Sequence, residues 1–395
     1  MSPDEARCRL CASGALQVFF ERASTPVLAN RFHASARDAL DAPTGCIMLA
    51  HCTGCGAIQN TRFDAGAVDY GDGYENALHY SAGFRAFSAI LADRLARDEC
   101  LRGGTAVEIG CGDGAFLTLL CERAGCAGIG VDPALPPVGE RLAGPRVRLL
   151  GRSFDAVDLI TPDTKLVICR QVLEHLAGPR DLLLALARVA AGASRVRFYI
   201  EVPNAMAMLE AGAIWDVIYE HPLYFTAESL ERLLRDCGYA IAVIDEAFHR
   251  QYLYAEGTIA DGGRDDRAQP STAGIGASAE LLARFGHAGA AALNRWNDFL
   301  ENQRSAARIV ALWGIGSKGV TFLNALEDPS LIAVAVDLNP RKQGRHVPGT
   351  GHRIAAPAEL ARVRPDVVLV SNRIYAQEIE RALRALELAP KLELL

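Results

Sequence analysis

The segment Val107-Glu-Ile-Gly-Cys-Gly-Asp-Gly114 constrains the possible folds of this chain more than any other. An apolar run over 106–110 reads as a strand, and the pattern over 115–123 reads as a helix. Glycines between them let the backbone turn sharply and approach a ligand, with the helix N-terminus facing it. The alternation continues: 128–131, 166–169 and 195–202 read as strands, and 180–190 and 227–237 as helices. Strands that alternate with helices predict an α/β fold with a largely parallel, doubly wound, Rossmann-like sheet. Asp132 ends the second strand, where an acid in such a sheet accepts hydrogen bonds from ribose hydroxyls.

Two further units flank this one. Residues 1–70 lack long helical patterns and hold five of the eleven cysteines. Over 77–97 the pattern is helical, with Phe84, Phe87, Ile90, Leu91 and Leu95 at spacings of three and four. A polar stretch over 260–273 containing Gly and Pro reads as a linker. A long helix over 278–307 follows, and then strands over 309–313, 332–336 and 367–370, which predict a second, smaller Rossmann-like unit. The expected division is therefore 1–70, 71–260 and 275–395. The last unit has its own glycine turn, Trp313-Gly-Ile-Gly-Ser-Lys-Gly319, with Asp337 after the next strand. We read it as a packing unit that helps to shape a substrate cleft.

A formal charge of −6 argues against a nucleic-acid binder with a broad basic surface. The short basic pair Arg341-Lys342 reads as a solvated turn. The opening residues have no apolar leader, and no stretch reaches the ~18 apolar residues of a membrane span. The cysteines are then better explained as free thiols and metal ligands than as disulfides, and the expected setting is the cytoplasm.

Cys8-Arg-Leu-Cys11 and Cys52-Thr-Gly-Cys55 are two Cys-x-x-Cys knuckles. A two-residue spacer lets both sulfurs of a knuckle reach one ion, and two knuckles complete a closed four-thiolate zinc site. With no position left for water, such a metal is structural. His51 adjoins the second knuckle as a substitute ligand, whereas Cys46 and the remaining cysteines are expected in the core.

The Glu-x-Gly-x-Gly-x-Gly spacing of the turn resembles motif I of class I methyltransferases more than the dinucleotide fingerprint. The resemblance implies S-adenosylmethionine as cofactor, with Glu108, Gly110, Gly112, Asp113, Gly114 and Asp132 around it. The segment Leu166-Val-Ile-Cys-Arg-Gln-Val-Leu-Glu-His-Leu176 is similar to the fourth strand of those enzymes. That likeness puts Cys169, Arg170 and Gln171 beside the sulfonium.

The segment Trp215-Asp-Val-Ile-Tyr-Glu-His-Pro-Leu-Tyr-Phe-Thr226 carries the candidate chemistry. Tyr219, Glu220, His221 and Tyr224 bring an acid, a base and two phenols within six residues. An imidazole can remove a moderately acidic proton near neutrality, and a phenol can donate to an enolate oxygen as charge builds. The same residues also suit a surface loop with Thr226 capping the next helix.

In order along the chain, the two knuckles, Tyr70-Gly-Asp-Gly-Tyr-Glu-Asn76, the glycine turn, Glu220-His221, Asp337-Leu-Asn-Pro-Arg-Lys-Gln-Gly344 and Pro348-Gly349 resemble the three-domain sugar C-methyltransferases of deoxysugar pathways. That resemblance implies proton removal next to the keto group of a nucleotide-linked sugar, followed by methyl transfer to the enolate carbon. It makes His221 the base, Glu220 the residue that orients it, and Tyr219 or Tyr224 the partner of the enolate oxygen. His175 becomes a second histidine facing the substrate, and Tyr74 and Asn76 belong to a lid over the sugar. The chain departs from that pattern in having Tyr219 directly before Glu220, with one residue fewer between them. Two other readings stand beside it: O- or N-methylation of another small metabolite, and a zinc-containing binding scaffold.

Overall fold

The computed structural model describes residues 7–71, 73–136, 140–153, 159–190, 195–259 and 276–395. The expected linker over 260–273 lies outside these residues.

The central sheet has eight strands. Its middle is parallel, in the order Arg197–Pro203, Thr164–Arg170, Thr105–Ile109, Ala127–Val131 and Val147–Leu150. Because side chains alternate along a strand, each strand feeds two cores. Ala106, Leu166 and Ile168 face helices Ala82–Ala96 and Ala115–Ala124 through Leu95, Leu117 and Leu120. Val107, Ile109, Val167 and Cys169 face helices Pro179–Ala190 and Ala227–Asp236 through Leu183, Leu186, Leu230 and Leu234. This is the doubly wound arrangement of a class I methyltransferase. Antiparallel strands that the periodicity did not announce extend both edges. Glu140–Gly144 joins Val147–Leu150, and Tyr252–Ile259 followed by Tyr239–Ala247 joins Arg197–Pro203.

Helix Ala82–Ala96 starts five residues later than its apolar spacing suggests, because two side chains cap it there. Ser81 Oγ accepts from the Phe84 amide, and the Glu378 carboxylate accepts from Ser81 Oγ and from the Ala82 and Gly83 amides. An acid at a helix N-terminus answers amides that have no partner within the helix. Here that acid comes from the far end of the chain.

The N-terminal sheet runs antiparallel through Leu16–Pro26, Thr44–Cys52 and Ile58–Asn60, and its fourth strand is Leu223–Tyr224. The segment with the candidate chemistry is thus stitched into this sheet by the pairs Leu223–Gln59 and Tyr224–Ile58. One residue later, Phe225 bridges to Asn204 at the end of a central strand.

A third, wholly parallel sheet has the order Ile354–Ala355, Val334–Val336, Val310–Trp313, Val367–Val370 and Lys391–Leu394. Its glycine turn is answered from within the protein. Asp337 Oδ2 accepts from the Ile315 amide at 2.7 Å, and Lys342 Nζ donates to the Ile315 carbonyl at 3.0 Å. Lys342 corrects the expectation of a solvated turn. It is buried, with its ammonium 5.0 Å from the centroid of the Phe32 ring, where the ring's negative face attracts a cation. Cys46 and Cys100 correct the expected core placement, since both are exposed. No helix among the described residues is long and apolar enough to cross a membrane.

Helix Ala279–Ser305 packs on the N-terminal sheet through Phe285, whose ring centroid lies 6.2 Å from that of Phe19 and 5.5 Å from that of Phe20. Gly286 permits this approach, since a Cβ there would sit 2.2 Å from the Phe19 carbonyl oxygen. Removing the buried ring leaves a cavity that neighbouring backbone cannot fill. Phe285→Ala is expected to cost about 3–5 kcal/mol, read as a lower urea midpoint at unchanged secondary structure.

Candidate active site

The glycine turn lies at the carboxyl ends of the central parallel strands, where an open α/β sheet holds its ligand. Gly110, Gly112 and Gly114 all have left-handed backbone, with φ of 69°, 55° and 81°. A Cβ on Gly110 would collide with Val172 and one on Gly114 with Leu149, whereas one on Gly112 would meet nothing within 4 Å. The loop therefore presents bare backbone to open space at Gly112. Asp132 shapes it from the next strand: Oδ2 accepts from the Gly112 amide at 2.8 Å and Oδ1 from the Ala134 amide at 2.8 Å. Glu108 is buried beneath the loop beside the Leu117 amide, and its Oε2 has no hydrogen-bond partner. Burial pushes its carboxyl up to about 8, against the pull of Arg170. An orphaned buried oxygen and an open glycine cradle fit a ligand with its own donors, as the amine and ribose of S-adenosylmethionine have.

Arg170 and Gln171 lie at the same end of the sheet, but their side chains turn inward. Both donate to Glu201 Oε1, at 3.1 and 3.3 Å, and the Tyr199 hydroxyl donates to Glu201 Oε2 at 2.8 Å. The Arg170 guanidinium lies 4.3 Å from the centroid of the Phe116 ring. Both side chains are thus engaged by a fully buried carboxylate, through Arg170 Nε and Gln171 Nε2, rather than aimed into the cradle as expected. Asp113 faces away from the cradle too. Its Oδ2 is 3.3 Å from Arg341 and 3.8 Å from His79.

Beside the cradle lies a cluster of histidine, tyrosine and glutamate. The His175 and His221 rings meet edge to face with centroids 4.5 Å apart. His175 Nδ1 is 2.8 Å from the Tyr70 hydroxyl and 3.1 Å from the Glu220 carbonyl. Nδ1 can donate to the Glu220 carbonyl, which only accepts, or accept from the Tyr70 hydroxyl, according to the tautomer. Among the described residues, the His221 ring makes no hydrogen bond. Burial lowers both imidazoles, His175 to about 4 and His221 well below its ordinary value, the latter helped by His175. Both rings are therefore neutral at neutral pH. Tyr74 faces the Glu220 carboxyl, while Glu220 Oε1 accepts from the Ala29 amide at 3.2 Å. Burial raises the Glu220 carboxyl to about 7 and that of Glu174 to about 8.

Three expectations fail on geometry. The Tyr219 hydroxyl accepts from the Asp64 amide at 3.0 Å and its ring packs on Phe63, so it faces the N-terminal sheet. The Tyr224 hydroxyl accepts from the Ile218 amide and donates to the Ile218 carbonyl, at 3.0 and 2.9 Å, which exhausts its donor. Tyr224 thus has no proton left for an enolate, and Tyr219 is turned toward Asp64 and Phe63. Glu220 touches a histidine only through its backbone carbonyl, and that histidine is His175, not the expected His221. Asn76 is exposed, while Tyr74 is in the cluster. Tyr70, Glu174 and Glu201 join the site without having been assigned a role in it. An acid beside a candidate histidine in an apolar segment is the signal that Glu174 offered.

The four knuckle cysteines converge, with one sulfur from each within 4.8 Å of the others. Cys8 and Cys55 sulfurs are 3.5 Å apart, and those of Cys11 and Cys52 are 3.6 Å apart. A tetrahedral ion with sulfur bonds of about 2.3 Å has edges of about 3.8 Å, so the donors fit one thiolate-bound ion. His51 is not among them.

Comparison with known proteins agrees with this geometry. Residues 81–243 match the family model of a methyltransferase domain, and residues 269–389 match that of a C-methyltransferase C-terminal domain. The C-methyltransferase NovU of Streptomyces niveus is 28% identical over 301 residues, which is 70% of this chain and 68% of NovU. Among solved structures, magnesium protoporphyrin IX methyltransferase of Synechocystis PCC 6803 aligns with a TM-score of 0.34 and 21% identity, over 48% of this chain and 90% of that one. A SAM-dependent methyltransferase of Aquifex aeolicus aligns with a TM-score of 0.32 and 16% identity, over 43% of this chain and 89% of that one. Structural likeness at this level adds no weight, and the family models carry the assignment. The chain is a methyltransferase that depends on S-adenosylmethionine.

Proposed function

We propose that this methyltransferase alkylates carbon, and that its acceptor is a keto-deoxysugar linked to a nucleotide. The match of residues 269–389 to a C-methyltransferase C-terminal domain and the likeness to NovU support carbon as the target. The order of motifs along the chain supports the sugar and the three-unit division at 1–70, 71–260 and 275–395. The observation that carries the mechanism is the unequal commitment of two neighbouring imidazoles. His175 is tied through Nδ1, while the His221 ring is free of intramolecular hydrogen bonds and neutral.

S-adenosylmethionine supplies the electrophilic methyl group when bound, with Glu108, Gly110, Gly112, Gly114 and Asp132 as the residues that would hold it. His221 takes the proton from the carbon next to the keto group. The electrons of that C–H bond move onto the keto oxygen, and the Tyr70 hydroxyl donates a hydrogen bond there. Burial raises the Tyr70 phenol far above its ordinary value, so it remains a donor. Holding acceptor and methyl donor in one cleft removes much of the entropic barrier. The four thiolates hold a structural zinc ion, which takes no part in the transfer.

In deuterium oxide, the enzyme without methyl donor should exchange hydrogen beside the keto group of a nucleotide-linked keto-deoxysugar, as followed by mass spectrometry. His221→Ala should reduce exchange and turnover by at least about a hundredfold at nearly unchanged cofactor affinity. A confirmed acceptor that is methylated but never exchanges would favour O- or N-methylation instead. Cys52→Ser should release one equivalent of zinc, measured by atomic absorption, and lower the melting temperature. Glu108 gives a pH signature. A carboxyl raised to about 8 by folding contributes stability fully present below its unfolded value, which is lost as pH rises through 8. The ligand-free enzyme should therefore melt lower at pH 9 than at pH 6, and Glu108→Gln should flatten that slope while weakening cofactor binding in calorimetry.

A further inference from the structure

We propose that Glu174, His175 and His221 form a second, divalent-metal site of one carboxylate and two imidazoles, and that an ion held there silences the enzyme by engaging His221. One ligand atom from each of the three residues lies within 4.8 Å of the others. Glu174 is 1% exposed, and neither of its carboxylate oxygens has a hydrogen-bond partner. Two orphaned acceptors on one buried carboxyl are costly, and a cation is the group that would satisfy both. With Nδ1–H donated to the Glu220 carbonyl, the tautomer that metal binding requires, His175 keeps a lone pair on Nε2 for an ion, as metal-bound histidines with such outer partners do.

The donor set selects the class of ion. Two nitrogens and one oxygen suit zinc, cobalt, nickel or ferrous iron, whereas magnesium and calcium prefer all-oxygen shells. Ligand atoms bound at about 2.0–2.2 Å lie about 3–4 Å apart, so small side-chain rotations close the cluster on an ion. The knuckle site is separate in donors, being all sulfur.

The consequence for catalysis rests on the reading of His221 as the base. A nitrogen lone pair bound to an ion cannot accept a proton, so metal binding and deprotonation exclude each other. With three protein ligands the ion also keeps open positions, where a keto or hydroxyl oxygen of the acceptor can bind in an unproductive complex.

Cobalt(II) titration of enzyme whose knuckle site is filled with zinc tests the proposal. One further equivalent should bind, giving weak visible d–d bands without the intense near-ultraviolet bands of thiolate-bound cobalt. Glu174→Gln and His175→Gln, each checked for folding by circular dichroism, should weaken that binding at least tenfold. Deuterium exchange should fall in proportion to cobalt occupancy and return when a mild chelator removes the second ion but leaves the zinc. No second equivalent, or one indifferent to both substitutions, overturns the site while leaving the metal-free exchange by His221 untouched. Exchange that rises with cobalt overturns the silencing. If His221→Ala still exchanges, the base is wrong, and weaker cobalt binding by that same variant still reports the metal site.

Discussion

The pairing of Leu223 and Tyr224 with Gln59 and Ile58 is the contact on which the site depends. It fastens a short segment from the central unit into the N-terminal sheet, and the next residue, Phe225, bridges back to the central sheet at Asn204. The five residues from Tyr219 to Leu223 are thereby held against the N-terminal side at both ends. The phenols on either side act as anchors. Tyr219 grips the Asp64 amide on the N-terminal side, and Tyr224 closes a loop on Ile218. Glu220 and His221 between them have little freedom to do anything except face His175. Cys8, Cys52 and Cys55 belong to the same buried cluster as Leu223 and Phe225, so a metal on the knuckles would also stiffen the strand that positions the histidine.

Four buried carboxyls surround the cleft, and their environments divide them. Glu201 is answered by Arg170, Gln171 and Tyr199, a charge-assisted set that holds the strand ends together. Glu220 is half answered, by the Ala29 amide. Glu108 and Glu174 keep oxygens without partners and are held up at about 8 by burial. Unanswered carboxyls cost folding energy, and in native proteins they concentrate where a ligand arrives. One lies under the glycine cradle and the other beside the histidines.

Four of the five central parallel strands were legible as apolar runs bounded by glycine or a charged residue, with helices repeating at three and four between them, whereas the short Val147–Leu150 was not announced. The knuckles were legible because two residues is the spacer that chelation requires. What escaped depends on contacts between residues far apart in sequence. Nothing local in Tyr219 or Tyr224 tells which way a hydroxyl points, and only the partners Asp64 and Ile218 decide it. Lys342 looks solvated until Phe32, more than three hundred positions away, supplies a ring beneath it. The start of helix Ala82–Ala96 is set by Glu378, a residue that belongs to another sheet's helix. The edge strand Tyr239–Ala247 is partly exposed, and its neighbour Tyr252–Ile259 has no alternation of buried and exposed positions, so alternation alone did not announce them.

The C-terminal unit is tied to the cofactor end as well as to the N-terminal sheet. Arg341 reaches Glu75 and Asp113 together, each at 3.3 Å, and Asn339 donates to Glu75 at 3.0 Å. Asp113 sits in the glycine turn and Glu75 follows Tyr74 of the histidine cluster, so one arginine spans both ends of the cleft. Such exposed pairs contribute little stability singly, and their significance is geometric. Asp113 is spent on this bridge rather than on the cofactor, which explains why an acid inside the glycine turn faces outward. Strand Val334–Val336 of the third sheet, whose own glycine turn is closed by Asp337 and Lys342, thus leads into the arginine that joins the Glu75 segment to the cradle.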